Sequence, residues 1–160
     1  VLTLAEEVVL LVRGQVIQAG PVLEVFNRPA NATAAELVGL ETLVPGEVLR
    51  VDQGLATVRI GDVNLTAVAP ANVCGQVFAG IRGEAVSLQR DPVISSSARN
   101  RLRVEVVSWH SAGALVRVEL DAGFRLSALV THPAAAELEL CPGAVLTAVI
   151  KAPAVHLIPR

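Results

Sequence analysis

The sequence predicts a mainly β protein: two small β-barrels in tandem behind a short α/β segment. Three observations point there. From residue 43 onward, runs of about six residues alternate apolar and polar side chains between Gly- and Asp-containing turns. The two halves of that region resemble each other. The core must be aliphatic, because 52% of the 160 residues are apolar and only 2% aromatic.

Residues 1–42 have an α/β character of their own. Leu4 to Glu7 reads as the end of a helix, and VVLLV, Val8 to Val12, as a fully apolar strand of the buried parallel kind. Arg13-Gly14 turns into a second strand, Gln15 to Ala19. Gly20-Pro21 opens a short helix with proline at its first position, and Pro29 stops it. Asn31 is the N-cap of another helix, Ala32 to Leu40, with Glu36 on its polar side. Five glutamates against Arg13 and Arg28 make this segment acidic.

The first barrel is assigned to 43–92 and the second to 93–160. Leu55–Ile60 and Val63–Val68, joined at Gly61-Asp62, form a hairpin in the first. In the second, LVRVEL (Leu115–Leu120) puts Val116, Val118 and Leu120 on one face, Arg117 and Glu119 on the other. Phe124–Val130 alternates likewise across Asp121-Ala122-Gly123. Closing such short strands into barrels removes exposed edges. GIRGEAVSL (Gly80–Leu88) lies over VIKAPAVHL (Val149–Leu157), with Arg82 opposite Lys151, and TVRI (Thr57–Ile60) mirrors LVRV (Leu115–Val118). Asp91 to Ser97 is the expected linker.

Several functions are excluded. A net charge of −2 gives no bulk attraction to nucleic acid, and base-stacking aromatics on a basic surface are missing. The longest uncharged run, Leu65–Ile81, is interrupted by Pro70, Asn72, Gly75 and Gln76, so it is not a membrane span. Cys74 and Cys141 lack C-x-x-C spacing and read as reduced core thiols of a cytosolic protein. His110, His132 and His156 have no metal-ligand spacing. Trp109 and His110 read as a strand end or loop feature and not as a binding box. Without a G-x-x-x-x-G-K-[ST] phosphate loop the chain is not expected to be an enzyme by itself. It contains no methionine and opens inside an apolar pattern, as a piece of a longer protein would.

Two polar stretches stand out: SSSARNRL, Ser95 to Leu102, and the lysine that ends an apolar strand in VIKAPAVHLIPR. Ser97, Arg99, Asn100 and Lys151, with Thr131 after the strand ending at Val130, supply hydroxyl, guanidinium, amide and ammonium donors. A tetrahedral dianion has only acceptors, and each charge-assisted hydrogen bond to it contributes about 1.5–3 kcal/mol. Hydrogen phosphate carries a proton that needs an acceptor, so a donor-only site leaves sulfate, molybdate and tungstate.

Ser97-Ala98-Arg99-Asn100 and Ile150-Lys151-Ala152-Pro153 resemble the signature of the molybdenum-pterin-binding repeats, the molbindin family, with Leu129-Val130-Thr131 between them. Leu2 to Gly39 looks like the end of an ABC-transporter ATPase domain. The resemblance implies OB-like barrels of the TOBE/molbindin type behind an ATPase tail. It implies a regulatory domain binding molybdate or tungstate at a subunit interface, with no other cofactor. Ser97, Arg99, Thr131 and Lys151 would be ligands, with backbone N–H groups near Ala98, Asn100 and Ala152. Implied partners are a second copy, through the barrels, and the membrane permease subunits of an importer, at the cytoplasmic face of the membrane. Two departures are visible. Ala134 stands where some members have a serine, and the first repeat has Glu41-Thr42-Leu43 in place of the serine–arginine row, so that barrel is expected to be a poorer site or purely structural.

Overall fold

The computed structural model describes residues 5–90 and 96–160. Of the helix end expected at Leu4 to Glu7, Leu4 lies outside the described residues, Ala5 and Glu6 are not helical, and Glu7 already begins β1 (Glu7–Val12). β1 pairs antiparallel with β2 (Gln15–Pro21) in a hairpin of its own, so the parallel reading of VVLLV is corrected. Its uniform apolarity misled because only one face is used. Val8 and Leu10 pack on a small core, while Val9 and Leu11 are exposed. Arg13 and Gly14 both take positive φ, as a two-residue hairpin turn requires.

α1 (Val22–Asn27) follows Pro21 and ends before Pro29. α2 (Ala32–Leu37) begins where Asn31 Oδ1 accepts the Ala34 N–H at 2.9 Å. It stops three residues earlier than expected. Gly39 turns left-handed at φ 85° and the Leu40 N–H returns to the Ala35 carbonyl at 3.0 Å, a glycine-closed helix end.

Ten strands follow. β3 (Thr42–Asp52), β4 (Leu55–Ile60), β5 (Val63–Val68), β6 (Gly75–Ile81) and β7 (Ser87–Gln89) come from the first half. β8 (Asn100–Ala112), β9 (Leu115–Asp121), β10 (Arg125–Thr131), β11 (Val145–Ile150) and β12 (Val155–Pro159) come from the second. They form two five-stranded antiparallel sheets, but each half gives its last strand away. β7 pairs with β11, in the order β10-β9-β8-β11-β7, and β12 pairs with β6, in the order β12-β6-β3-β4-β5. A division at residues 92 and 93 therefore cuts across both sheets; of the expected linker, residues 91–95 lie outside the described residues. Each sheet curls until its edge strands approach, β12 towards β5 and β10 towards β7, giving the tandem OB-type architecture.

The ladders fix which residues correspond. Thr42 pairs with Ile81 as Asn100 pairs with Ile150, and both long strands carry an extra residue, Leu49 and Val107. Both β–turn–β segments of the GIRGEAVSL/VIKAPAVHL repeat contain a 3₁₀ turn, Gly83–Ala85 and Ala152–Ala154. The second pairing needs correction. Val58 faces Val48 just before one bulge and Leu120 faces Val106 just before the other, so Val58 corresponds to Leu120 and not to Val116. A longer β8–β9 hairpin causes the slip. A helix was also missed: α3 (His132–Glu137) follows β10, capped by Thr131, with Pro133 in its first turn.

One core unites both sheets through Val58, Leu65, Val104, Val118, Leu126 and Ile150, all at most 1% exposed. Each such side chain contributes about 1.5–3 kcal/mol on burial. A second cluster joins Val25, Ala35, Val38 and Leu40 to Ile158 of β12, so the end of the chain seals the α/β segment to the first sheet. Cys74 and Cys141, expected in the core, are free but exposed. Among the described residues no helix is long and apolar enough to cross a membrane.

Candidate anion-binding cleft

Where β7 crosses to the second sheet it leaves a cleft of about 280 Å³, into which Ser87, Gln89, Ser96, Ser97, Ala98 and Lys151 face. Two elements aim the charged group. β11 is fixed on both sides by β8 and β7, and Lys151 follows it directly as the residue that opens the second 3₁₀ turn. Ser97 and Ala98 lead into β8, whose first residue is locked. Asn100 is 3% exposed, and its Oδ1 accepts the Thr66 N–H at 2.6 Å while Nδ2 donates to the carbonyls of Thr66 at 2.9 Å and Ile150 at 3.3 Å. This amide clasps β5 to the β8–β11 pair, so the row is held rigidly where it meets Lys151.

The predicted residues divide accordingly. Ser97, Ala98 and Lys151 come together in the cleft. Arg99 is exposed, makes no ion pair among the described residues, and is not part of the lining. The Asn100 side chain, expected to donate to an anion, is wholly engaged within the protein. Thr131 lies outside the cleft, its Oγ1 accepting the Ala134 N–H at 3.3 Å at the start of α3. Ala152 is buried at the start of the second 3₁₀ turn. The Ala98 N–H is taken by Ser96 Oγ at 3.2 Å, which also accepts from Arg101 at 3.0 Å.

Sequence reasoning missed Ser87 and Gln89. Nothing around them signals a site, and only the strand exchange brings them to Lys151. Two larger hollows, of about 520 Å³ beside the β8 bulge and about 530 Å³ between Arg28 and β12, contain no lysine. In the latter His156 donates from Nδ1 to the Asn27 carbonyl at 3.2 Å. Burial holds its pKa below the ordinary value; the hydrogen bond to Asn27 opposes this, and the Arg82 charge adds to it. No group of three or more His, Cys, Asp or Glu side chains among the described residues could hold a metal ion.

Two curled five-stranded sheets that exchange their last strands define the tandem OB-type class of domain. Residues 96–157 match the family model of the TOBE domain. The chain is 32% identical over 159 residues to the molybdate/tungstate import ATP-binding protein WtpC of Pyrococcus horikoshii, covering 99% of this chain and 44% of the relative. It is 33% identical over 144 residues to the protein of that name from Pyrococcus abyssi, covering 89% and 39%. A spermidine/putrescine import ATP-binding protein, PotA of Pseudomonas fluorescens, is 29% identical over 129 residues, covering 79% and 34%. The chain thus spans less than half the length of these relatives. A crystal structure of the cytoplasmic molybdate-binding protein ModG with molybdate bound superimposes with a TM-score of 0.68 at 28% identity, over 75% of this chain and 96% of that one.

Proposed function

We propose that this chain is the regulatory, oxyanion-binding part of a molybdate-import ATPase, sensing cytosolic molybdate or tungstate. The observation that carries the reading is the cleft in which Ser97 and Lys151 of the second half meet Ser87 and Gln89 of the first. Its donors are two kinds: an ammonium at the end of β11 and hydroxyls from the segment before β8. The Ala152 N–H, at the start of the second 3₁₀ turn, would add a backbone donor beside them. Arg99, one residue from Ala98, has a guanidinium arm free to turn towards a bound dianion. Thr131, outside the cleft of its own chain, would be contributed by a second copy, so the full ligand set assembles in a homodimer. The similarity to molybdate/tungstate import ATP-binding proteins and to ModG supports both ligand and setting.

In this reading ATP hydrolysis belongs to the rest of the parent protein, which docks on membrane permease subunits at the cytoplasmic face. Molybdate shifts the paired domains only by its differential affinity for their arrangements. Titration calorimetry with molybdate and tungstate tests it. Lys151→Ala and Arg99→Ala are each expected to weaken binding more than tenfold. Absence of binding by the unaltered chain, or full affinity in both variants, removes the assignment.

The likeness to PotA favours a second reading, a dimerisation module with no ligand. A thermal melt separates the two, since an anion at about 100 times its Kd adds about 2.7 kcal/mol and an empty module gains nothing.

A further inference from the structure

The internal duplication means that the cleft has a counterpart in the first half, and the ladders identify its residues. Leu40 stands for Ala98, Glu41 for Arg99, Gly80 for Val149, Arg82 for Lys151 and Gly83 for Ala152. Each differs in a way that fills the space. Leu40 enters it and packs against Gly80, where a Cβ would stand 2.7 Å from Leu40 Cδ1. Glu41 Oε2 accepts the Gly83 N–H at 2.8 Å, the counterpart of the Ala152 N–H. The Arg117 guanidinium lies 3.8 Å from the other Glu41 oxygen. Arg82 does not face a ligand. It donates to the carbonyls of Val38 at 2.8 Å and Phe26 at 2.9 Å, the chain ends of α2 and α1.

From this, and resting on the anion reading of the second half, we infer that Glu41 is a built-in anion. Its carboxylate takes the Gly83 backbone donor beside the Arg117 guanidinium, Arg82 turns instead to the ends of α1 and α2, and the first-half cleft has become the joint that holds the α1–α2 segment. The chain therefore carries one oxyanion site, not two. One backbone position is shared by both halves: an exchangeable dianion would meet the Ala152 N–H in one, and a tethered carboxylate meets the Gly83 N–H in the other. In the first half the carboxylate is part of the chain, so the joint stays closed whatever the anion concentration.

Two measurements on the described chain test this. Calorimetric titration with tungstate counts sites. Thermal melts of Glu41→Ala in sodium formate, against sodium chloride at equal ionic strength, ask whether a free carboxylate fills the vacated place. One tungstate per unaltered chain is expected, together with a melting temperature that falls in Glu41→Ala and is regained by about half or more in formate but not in chloride. Glu41→Gln, which keeps the shape and the Gly83 hydrogen bond, should show no formate response. Should Glu41→Ala not fold in buffer, refolding yield in formate against chloride gives the same readout. Two tungstates per unaltered chain, or no advantage of formate over chloride, overturns the inference. If the unaltered chain binds no tungstate while formate still rescues Glu41→Ala, the sensor reading falls and the carboxylate joint stands.

Discussion

Asn100 shows how little of a residue's role is carried by its type. In the sequence it sits in a row of donors, and an anion contact is the natural reading. In the fold it is buried, and its three hydrogen bonds tie β5 to the start of β8 and the end of β11. The first half has a matching device, Thr42 Oγ1 accepting the Ser127 N–H at 2.9 Å, again between halves. Asn100, Thr42 and Ser127 are the buried polar residues of the described chain, and all serve these two clasps. Removing one partner leaves a buried N–H or carbonyl unsatisfied, which costs about 1–3 kcal/mol. Asn100→Ala should accordingly lower the unfolding free energy by about that amount in a urea titration. Tungstate affinity should fall with it, because Ser97 and Lys151 lose their shared anchor. Asn100→Ala that weakened binding while leaving stability intact would return Asn100 to the ligand set.

At the scale of elements, β12 has two duties that its sequence position conceals. It completes the first sheet beside β6, and it brings His156 and Ile158 against the α/β segment. His156 is half-buried, with a pKa held below the ordinary value of about 6.5 chiefly by burial. The unfolded chain then takes up the proton more readily than the folded one, so stability attributable to the neutral ring is complete above pH 6.5. It is lost as the pH falls from there through the folded pKa. His156→Asn should flatten that portion of a stability-against-pH curve, measured by denaturant midpoints, and leave the neutral-pH plateau nearly unchanged. An identical acid-side slope in the variant would assign the loss to other groups. The hairpin strands, the Asn31 cap and the six-residue alternation were legible because they are local consequences of period, turn and capping chemistry. The half-exposed face of β1, the end of α2 and the bulged register of β8 were not, since packing and hairpin length decide them. α3 was hidden because His132-Pro133-Ala134 looks like a loop until Thr131 is seen capping it.

For the molecule as a whole, the repeat was legible but the exchange was not. GIRGEAVSL and VIKAPAVHL announce two copies of one unit, and a reader naturally closes each copy on itself. Nothing in a periodic pattern says which sheet a three-residue strand such as β7 will join; that is set by where the chain finds an unpaired edge. The site follows the same rule. Ser97 and Lys151 could be named from their chemistry, whereas Ser87 and Gln89 could not, because they arrive from the other half. The exchange makes the two sheets a single folding unit. Residues 43–92 alone would lack β12 and expose Ala79 and Ile81 along the edge of β6, and residues 93–160 alone would lack β7 and open the cleft. Either half produced by itself should remain largely unfolded or associate, with weak amide-exchange protection. The whole chain should melt in one transition that coincides by near-ultraviolet and far-ultraviolet probes. Two separated transitions, or a well-protected isolated half, would show that the exchanged strands are decoration. A single transition has a functional corollary. Since the cleft is built from β7 of one half and β11 of the other, an anion bound there must stabilise both halves together, and the α/β segment sealed by Ile158 with them.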